Sequence, residues 1–186
     1  MLLRNRPPQI EAVPAAAVKG HEHISATAIA VISWLNCNRV DYVLVGPVAR
    51  SIRGDSSARG PVSIVPAPYG RNLDRLARAL WSARARLRSE GSPALITAAA
   101  DTGPVKLDAE KLLRAGRWTL RCGEHDLDVE GRGAGAPRYQ ELLYESSKFE
   151  LATGVSVEVA APEDIEHYSH VQRTGIAPEI TVSRID

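Results

Sequence analysis

The chain has 186 residues, which suits one domain with a hydrophobic core of its own. Its apolar fraction of 44% and charged fraction of 24% are those of an ordinary globular protein. The formal net charge of +1 provides no overall attraction to nucleic acid or to a membrane surface. No stretch is long and apolar enough to span a bilayer, and the N-terminus lacks the apolar run of a signal peptide. Cys37 and Cys122 are far apart and form no CxxC motif, so we expect reduced thiols and a cytoplasmic protein.

The beginning of the chain differs in character from the rest. Residues 1–20 contain three of the twelve prolines and little hydrophobic periodicity. We therefore expect a flexible leader over 1–20, one domain over 21–174 and a loose tail over 175–186. An apolar helix is predicted to start at Ser25, which is a good N-cap. His21 and His23 precede this helix without a third ligand at metal-binding spacing, so no metal site is predicted there.

The stretch over residues 41–66 organises the chain. It predicts a buried strand at 42–45, a glycine turn at Gly46, a short helix and a second strand at 62–65. Such a unit is a common way to place a small charged ligand at the carboxyl end of a strand. The loop over residues 53–60 is rich in glycine and serine, and we expect it to be flexible.

An arginine-rich amphipathic helix is predicted over residues 71–88. Its apolar positions recur at helical spacing and include Trp81, which we expect to pack in the core or against another helix. Between residues 50 and 88 there are nine arginines and only two acidic residues. This local excess indicates either a solvated helix face or a partner that bears phosphate. The same helix is a candidate docking face for a protein partner.

The second half of the chain alternates hairpins with short helices. The hydrophobic pattern and the glycine positions predict, in order, a helix at 106–115, a hairpin of 118–122 with 125–130, a helix at 139–147, a hairpin of 149–152 with 155–159, and a last helix that begins at Pro162.

A row of acidic residues marks the first of these hairpins. Side chains alternate along a strand, so Glu124, Asp126, Asp128 and Glu130 are predicted to share one face. Carboxylates in such a row repel one another and need cations or water. Three interpretations remain open: a solvated edge, pairing with the arginines of residues 50–59, or a site for a divalent metal ion.

The order of these segments resembles the nucleotidyltransferase fold of the polymerase-β-like superfamily, in the small domains found in bacteria. The resemblance covers about residues 25–172 and depends on the order of DYVLVG, the Arg-Gly of residues 53–54, SIVPA, NLDRLARAL, WTLRC, HDLDV, YQELL and APEDI. It implies an α/β (α+β) nucleotidyltransferase-like fold, in which a mixed, twisted sheet is flanked by helices.

The resemblance also locates the family's functional positions in this chain. Gly46 matches the first glycine after the first strand, but Pro47 replaces the small residue that comes next and removes a backbone N–H. The two metal-binding aspartates of the second strand fall on Pro61 and Ser63, neither of which provides a carboxylate. The metal-binding motif is therefore degenerate.

One family carboxylate remains. The third aspartate matches Asp128, and Asp126 lies beside it, so these two are the candidate catalytic residues. No metal site is expected, or at most a weak one at these two carboxylates. The candidate ligand-binding residues, on the basis of the resemblance and the local charge, are Gly46, Arg50, Arg53, Arg59 and Ser63.

These features predict a nucleotidyltransferase-fold protein with a degraded active site that serves as a nucleotide-, RNA- or protein-binding module. A nucleotide or an RNA end is the expected small partner, and no membrane partner is expected. The alternative is an active nucleotidyltransferase of the toxin-like or small-molecule-modifying kind, with Mg²⁺ as cofactor and Asp126 and Asp128 as its metal ligands. A third hypothesis is a structural protein that docks through the helix at 71–88.

Overall fold

The computed structural model describes residues 7–88, 103–114, 116–131 and 136–174. Residues 1–6 of the predicted leader and the predicted tail at 175–186 lie outside this part. The helices are α1 (Ala26–Cys37), α2 (Gly46–Ile52), α3 (Gly70–Ser82), α4 (Ala109–Arg114), α5 (Tyr139–Glu145) and α6 (Pro162–Thr174). The strands are β1 (Tyr42–Val45), β2 (Val62–Pro66), β3 (Arg86–Leu87), β4 (Arg117–Cys122), β5 (His125–Glu130), β6 (Ser147–Ala152) and β7 (Val155–Val159).

The strands form one mixed sheet of seven strands in the order β3-β4-β5-β2-β1-β7-β6. The two inner strands, β1 and β2, pair antiparallel, and each has a parallel neighbour on its other side, β7 and β5 respectively. The β6–β7 hairpin forms one edge of the sheet, and the β4–β5 hairpin extends the sheet on the other side to the edge strand β3. The predicted fold class, a mixed α+β sheet flanked by helices, is confirmed.

The core lies between the sheet and its helices. Strands β1 and β2 are buried along their whole length, as expected for inner strands that are covered on both faces. Fully buried side chains include Trp34 and Leu35 of α1, Leu80 of α3 and Leu127 of β5. None of the described helices combines the length and the apolarity that crossing a membrane requires.

Helix α1 begins where the sequence predicts. Ser25 is its N-cap, and the Ala28 amide donates a hydrogen bond to the Ser25 Oγ at 3.2 Å. This bond satisfies one of the amides that have no partner within the first turn of a helix.

Residues 7–20 of the predicted leader contact the domain. Trp34 Nε1 donates a hydrogen bond to the Pro8 carbonyl at 3.0 Å, and the Val18 amide donates one to the Leu151 carbonyl at 2.9 Å. The second bond lies next to an isolated bridge at the outer edge of β6. This part of the leader therefore covers one end of an edge strand.

Helix α3 is shorter than predicted. The helix ends at Ser82 and not at residue 88, because Arg84 adopts a left-handed conformation with φ 53° and the chain reverses. Residues 86 and 87 then form the edge strand β3. The expectation that Trp81 is packed is wrong: this residue is 53% exposed, because the inward stripe of α3 ends with Leu80.

Asn72 of α3 connects the two strands at one end of the antiparallel β1–β2 pair. Its side chain is fully buried; its Oδ1 accepts a hydrogen bond from the Asp41 amide at 2.7 Å. Its Nδ2 donates to the Asp41 carbonyl at 2.8 Å and to the Ala67 carbonyl at 3.0 Å. A buried amide with these partners is well satisfied, and it fixes the position of α3 on the sheet.

Candidate functional site

Gly46 and Ser63 are in direct contact at the start of α2. Gly46 comes immediately after β1 and has a φ of +72°, which favours glycine. A Cβ at this position would lie 2.7 Å from the Ser63 Oγ, so the site excludes larger residues for steric reasons as well. Ser63 is buried in β2, and its Oγ has no hydrogen-bond partner among the described residues.

Asp128 lies beside Ser63. Strands β2 and β5 pair in parallel with Ser63 opposite Asp128, so both side chains point to the same face of the sheet. The structure therefore brings together three of the positions that the sequence singles out: Gly46, Ser63 and Asp128.

The Asp128 carboxylate is fully paired with arginines. Its side chain has an exposed fraction of 0%. Arg88 Nη2 donates to Oδ1 at 2.8 Å, and Arg117 Nη2 donates to Oδ2 at 2.5 Å. Hydrogen bonds between ions of this kind are shorter and stronger than those between neutral groups. Each carboxylate oxygen thus already has a cationic donor.

The neighbouring acidic residues are paired as well. Asp126 accepts from Arg121 Nε at 2.9 Å and lies 3.6 Å from Arg88 Nη1. Glu130 lies 3.2 Å from Arg117 Nε. The hydrogen bond from Arg121 to Asp126 raises the pKa of that guanidinium above its usual value. Asp126, Asp128 and Glu130 share one face of β5 as predicted.

The arginines that pair with this acidic row differ from those predicted. The expected partners were the arginines of residues 50–59, whereas the acidic row is paired by Arg88, Arg117 and Arg121. The reason is the register of the β4–β5 hairpin, in which Arg117 is opposite Glu130 and Arg121 is opposite Asp126. Directly opposed side chains on one face are close neighbours, so the hairpin neutralises its own acids.

Two of the predicted ligand-binding arginines donate hydrogen bonds to backbone carbonyls instead. Arg53 donates to the Val159 carbonyl at 3.0 Å and to the Ala160 carbonyl at 3.1 Å, and its guanidinium lies 5.2 Å from the centre of the Phe149 ring. Arg59 is exposed and donates to carbonyls of its own loop. These contacts give both side chains a local structural role.

Arg50 lines a cleft above this network. The cleft has a volume of about 520 Å³ and is lined by Arg50 of α2, Arg117 of β4, and Glu166, Ser169 and Arg173 of α6. Arg117 connects the cleft to the buried carboxylate of Asp128. The cleft and the Gly46–Ser63–Asp128 cluster are therefore parts of one site.

The charge of this cleft is nearly balanced. Arg50 lies 3.2 Å from Asp55 and 3.7 Å from Glu166, and Arg117 has the partners already described. Arg173 is exposed, and no ion pair is found for it among the described residues. An anion in the cleft would therefore contact the guanidinium of Arg173, for which no carboxylate partner is described. It would also contact those of Arg50 and Arg117, which are already paired with carboxylates.

The position at which the family resemblance would place metal ligands does not suit Mg²⁺. This ion requires near-octahedral coordination by hard oxygen ligands. Pro61 offers no side-chain ligand, Ser63 offers a single hydroxyl, and both oxygens of Asp128 accept from guanidinium groups. In the described part of the chain, no group of three or more His, Cys, Asp or Glu side chains is arranged to hold a metal.

Comparison with known proteins yields matches among solved structures. No protein-family model matches the chain. No curated protein matches it either. The chain is similar to the crystal structure of an antigenic nucleotidyltransferase-like protein from Paracoccidioides brasiliensis, with 19% identity and a TM-score of 0.43. The match covers 86% of this chain and 71% of that one. At these values neither substrate nor activity can be transferred to this chain.

Proposed function

We propose that this chain is a nucleotidyltransferase-fold module that has lost metal-dependent transfer and binds the phosphate group of a nucleotide or of an RNA end in the cleft. The observation that carries the proposal is the state of Asp128, which is fully buried and held by Arg88 and Arg117. A buried carboxylate whose two oxygens each accept from a guanidinium group is a poor ligand for a metal ion.

The chemistry of nucleotidyl transfer explains why this loss matters. Two metal ions, held by carboxylates, neutralise the phosphates and orient the attacking group. Ser63 and Pro61 stand where the resemblance expects two such carboxylates. Arg88 and Arg117 supply positive charge at the remaining one, but a guanidinium cannot act as a Lewis acid toward a reacting oxygen.

Binding of a phosphate remains possible without a metal. Guanidinium groups bind phosphate oxygens in a bidentate manner, and Arg50, Arg117 and Arg173 line the same cleft. Ser169 adds a hydroxyl donor. The volume of about 520 Å³ is within the range of small-ligand sites. Since most of this charge is shared with carboxylates, we expect Arg173 to contribute most of the affinity.

The test is calorimetric titration with each of the four NTPs and with a short RNA that carries a 5′-triphosphate. The affinity in EDTA should equal or exceed the affinity in Mg²⁺, because the site uses no metal and Mg²⁺ neutralises part of the triphosphate charge. Arg173→Ala should weaken binding by about 10- to 150-fold, the effect of losing one hydrogen bond to a charged group. Arg71→Ala is the matched control, because Arg71 is an exposed arginine of α3 and does not line the cleft.

Two outcomes would overturn the proposal. One is affinity that rises steeply with Mg²⁺. The other is transfer of label from an NTP to RNA, protein or a small molecule by the wild-type chain in the presence of Mg²⁺. The second result would support the alternative in which Asp126 and Asp128 bind metal in an active enzyme.

A further inference from the structure

A second cluster of arginines lies at the end of α3, outside the cleft. Arg78, Arg84 and Arg86 are exposed, and no ion pair with a carboxylate is found for any of them in the described part of the chain. The Arg78 guanidinium contacts only the Asp74 carbonyl, at 3.3 Å. Apart from Arg173, the arginines described around the predicted site are paired with carboxylates or with backbone carbonyls, whereas Arg78 and Arg84 are exposed positive charges at the end of α3.

An exposed aromatic ring lies within this cluster. Trp81 is 53% exposed and belongs to the last turn of α3, one turn after Arg78. Residues three apart on a helix are close neighbours on its surface. The left-handed turn at Arg84 comes directly afterwards and leads into the edge strand β3, in which Arg86 lies opposite Arg121 and shares its face of the sheet. An indole with this much exposed surface and arginines on either side of it in the sequence is unusual for a solvated helix end.

We propose that this surface, formed by Arg78, Trp81 and Arg84, binds single-stranded nucleic acid. The indole would stack on a base, and the guanidinium groups would contact the phosphates on either side. Exposed aromatic rings next to basic side chains are the usual means of binding single strands without sequence preference. Arginine suits the role because it both stacks on rings and binds phosphate in a bidentate manner.

The physical arguments favour a single strand over other anionic partners. A duplex hides its base faces, so an exposed indole adds nothing to its binding. An acidic peptide would satisfy the arginines but would leave the ring without a planar partner. Asp74 is an exposed acidic residue of α3, one turn before Arg78. Its charge repels phosphates, so phosphates should bind at the end of the helix beyond it.

The affinity contributed by Trp81 and the salt dependence of binding can be estimated from the number of contacts to bases and phosphates. Stacking of one base on Trp81 corresponds to a loss of about 5- to 150-fold in affinity when the ring is removed. Two arginine–phosphate contacts on a single strand give a slope of roughly −1.4 in a plot of log K against log salt concentration.

The experiment is fluorescence anisotropy with a labelled oligo-U of about 12 nucleotides, which fits the known site sizes of such surfaces. The oligonucleotide carries a 5′-hydroxyl and EDTA is present, so the phosphate site of the cleft is not probed. Trp81→Ala should weaken binding by about 5- to 150-fold, while Trp81→Phe should retain most of it. Arg78→Gln and Arg84→Gln should each reduce the salt slope by about 0.7.

Arg71→Gln is the matched control, because it removes one exposed arginine at the other end of α3 and should leave the affinity unchanged. Absence of binding at about 50 mM salt would overturn the proposal. So would equal binding by wild type and Trp81→Ala, or displacement of oligo-U by poly-glutamate at the same charge concentration. Circular dichroism of each variant verifies that the fold is intact.

Discussion

The replacement Asp128→Asn tests whether the Asp128 carboxylate has a structural role or is a metal ligand, because the two roles predict opposite effects on stability. Asp128 is wholly buried, and its two oxygens accept from Arg88 and Arg117 at 2.8 and 2.5 Å. Asparagine has the same shape but keeps only one acceptor oxygen. Its amide NH₂ group would face a guanidinium, so one buried cation would lose its hydrogen bond.

Removing one partner of a buried ion pair costs about 3–5 kcal/mol. For Asp128→Asn we expect the lower end of this range, because each arginine retains another ion pair. Arg117 retains Glu130 at 3.2 Å, and Arg88 retains Asp126 at 3.6 Å. We expect a loss of about 3 kcal/mol from a total that is typically about 5–15 kcal/mol. For a chain of this size, this loss lowers the Tm by roughly 6–12 °C.

Urea denaturation in EDTA measures the effect, with Asp126→Asn as the control. Asp126 is partly exposed, so the control should lose no more than about 1 kcal/mol. A metal ligand without its metal is a buried charge that destabilises the fold, and its removal would be neutral or stabilising. An Asp128→Asn variant as stable as the wild type in EDTA would therefore refute the reasoning.

The remaining predictions concern buried polar groups. Asn72→Ala should lower the free energy of unfolding by about 2–4 kcal/mol in urea denaturation, because three hydrogen bonds are lost; a change below about 1 kcal/mol would contradict this role. Ser63→Ala should be neutral or stabilise the protein by up to about 1 kcal/mol, since its Oγ has no described partner, and a clear loss of stability would reveal one. Burial raises the pKa of Cys122 to about 12, whereas Cys37 is exposed. At about pH 8, one thiol per native chain should therefore react with a disulfide reagent, and two should react in urea; Cys37→Ser should remove the native reaction.

The sequence predicts most of the fold because hydrophobic period and turn residues are local signals. Ser25 caps the helix that it is expected to cap, and the hairpin about Gly154 has the predicted register of buried valines. The end of α3 differs from the prediction for a physical reason. Arginine and alanine continue the helical pattern through residue 88, whereas the left-handed turn at Arg84 is stabilised by tertiary pairing of β3 with β4.

The site is harder to predict, because it depends on which arginine meets which carboxylate. The alternation of Arg117, Thr119 and Arg121 against Asp126, Asp128 and Glu130 is visible once a two-residue turn is assumed for the hairpin. That signal is present in the sequence and indicates the observed pairing. The positions of Arg88 and Arg173 cannot be derived in this way, since one depends on an edge strand of two residues and the other on how α6 packs over the sheet.

The order of the strands also has a consequence for the rate of folding. Strand β2 meets its parallel neighbour through residues 62 and 127, and β1 meets its own through residues 44 and 159. The antiparallel pairings between strands close in sequence can form early, but the inner strands find their parallel partners only after long loops have closed. We therefore expect slow folding for a chain of this length, and a polypeptide that stops before residue 147 would expose the apolar edge of β1 and aggregate.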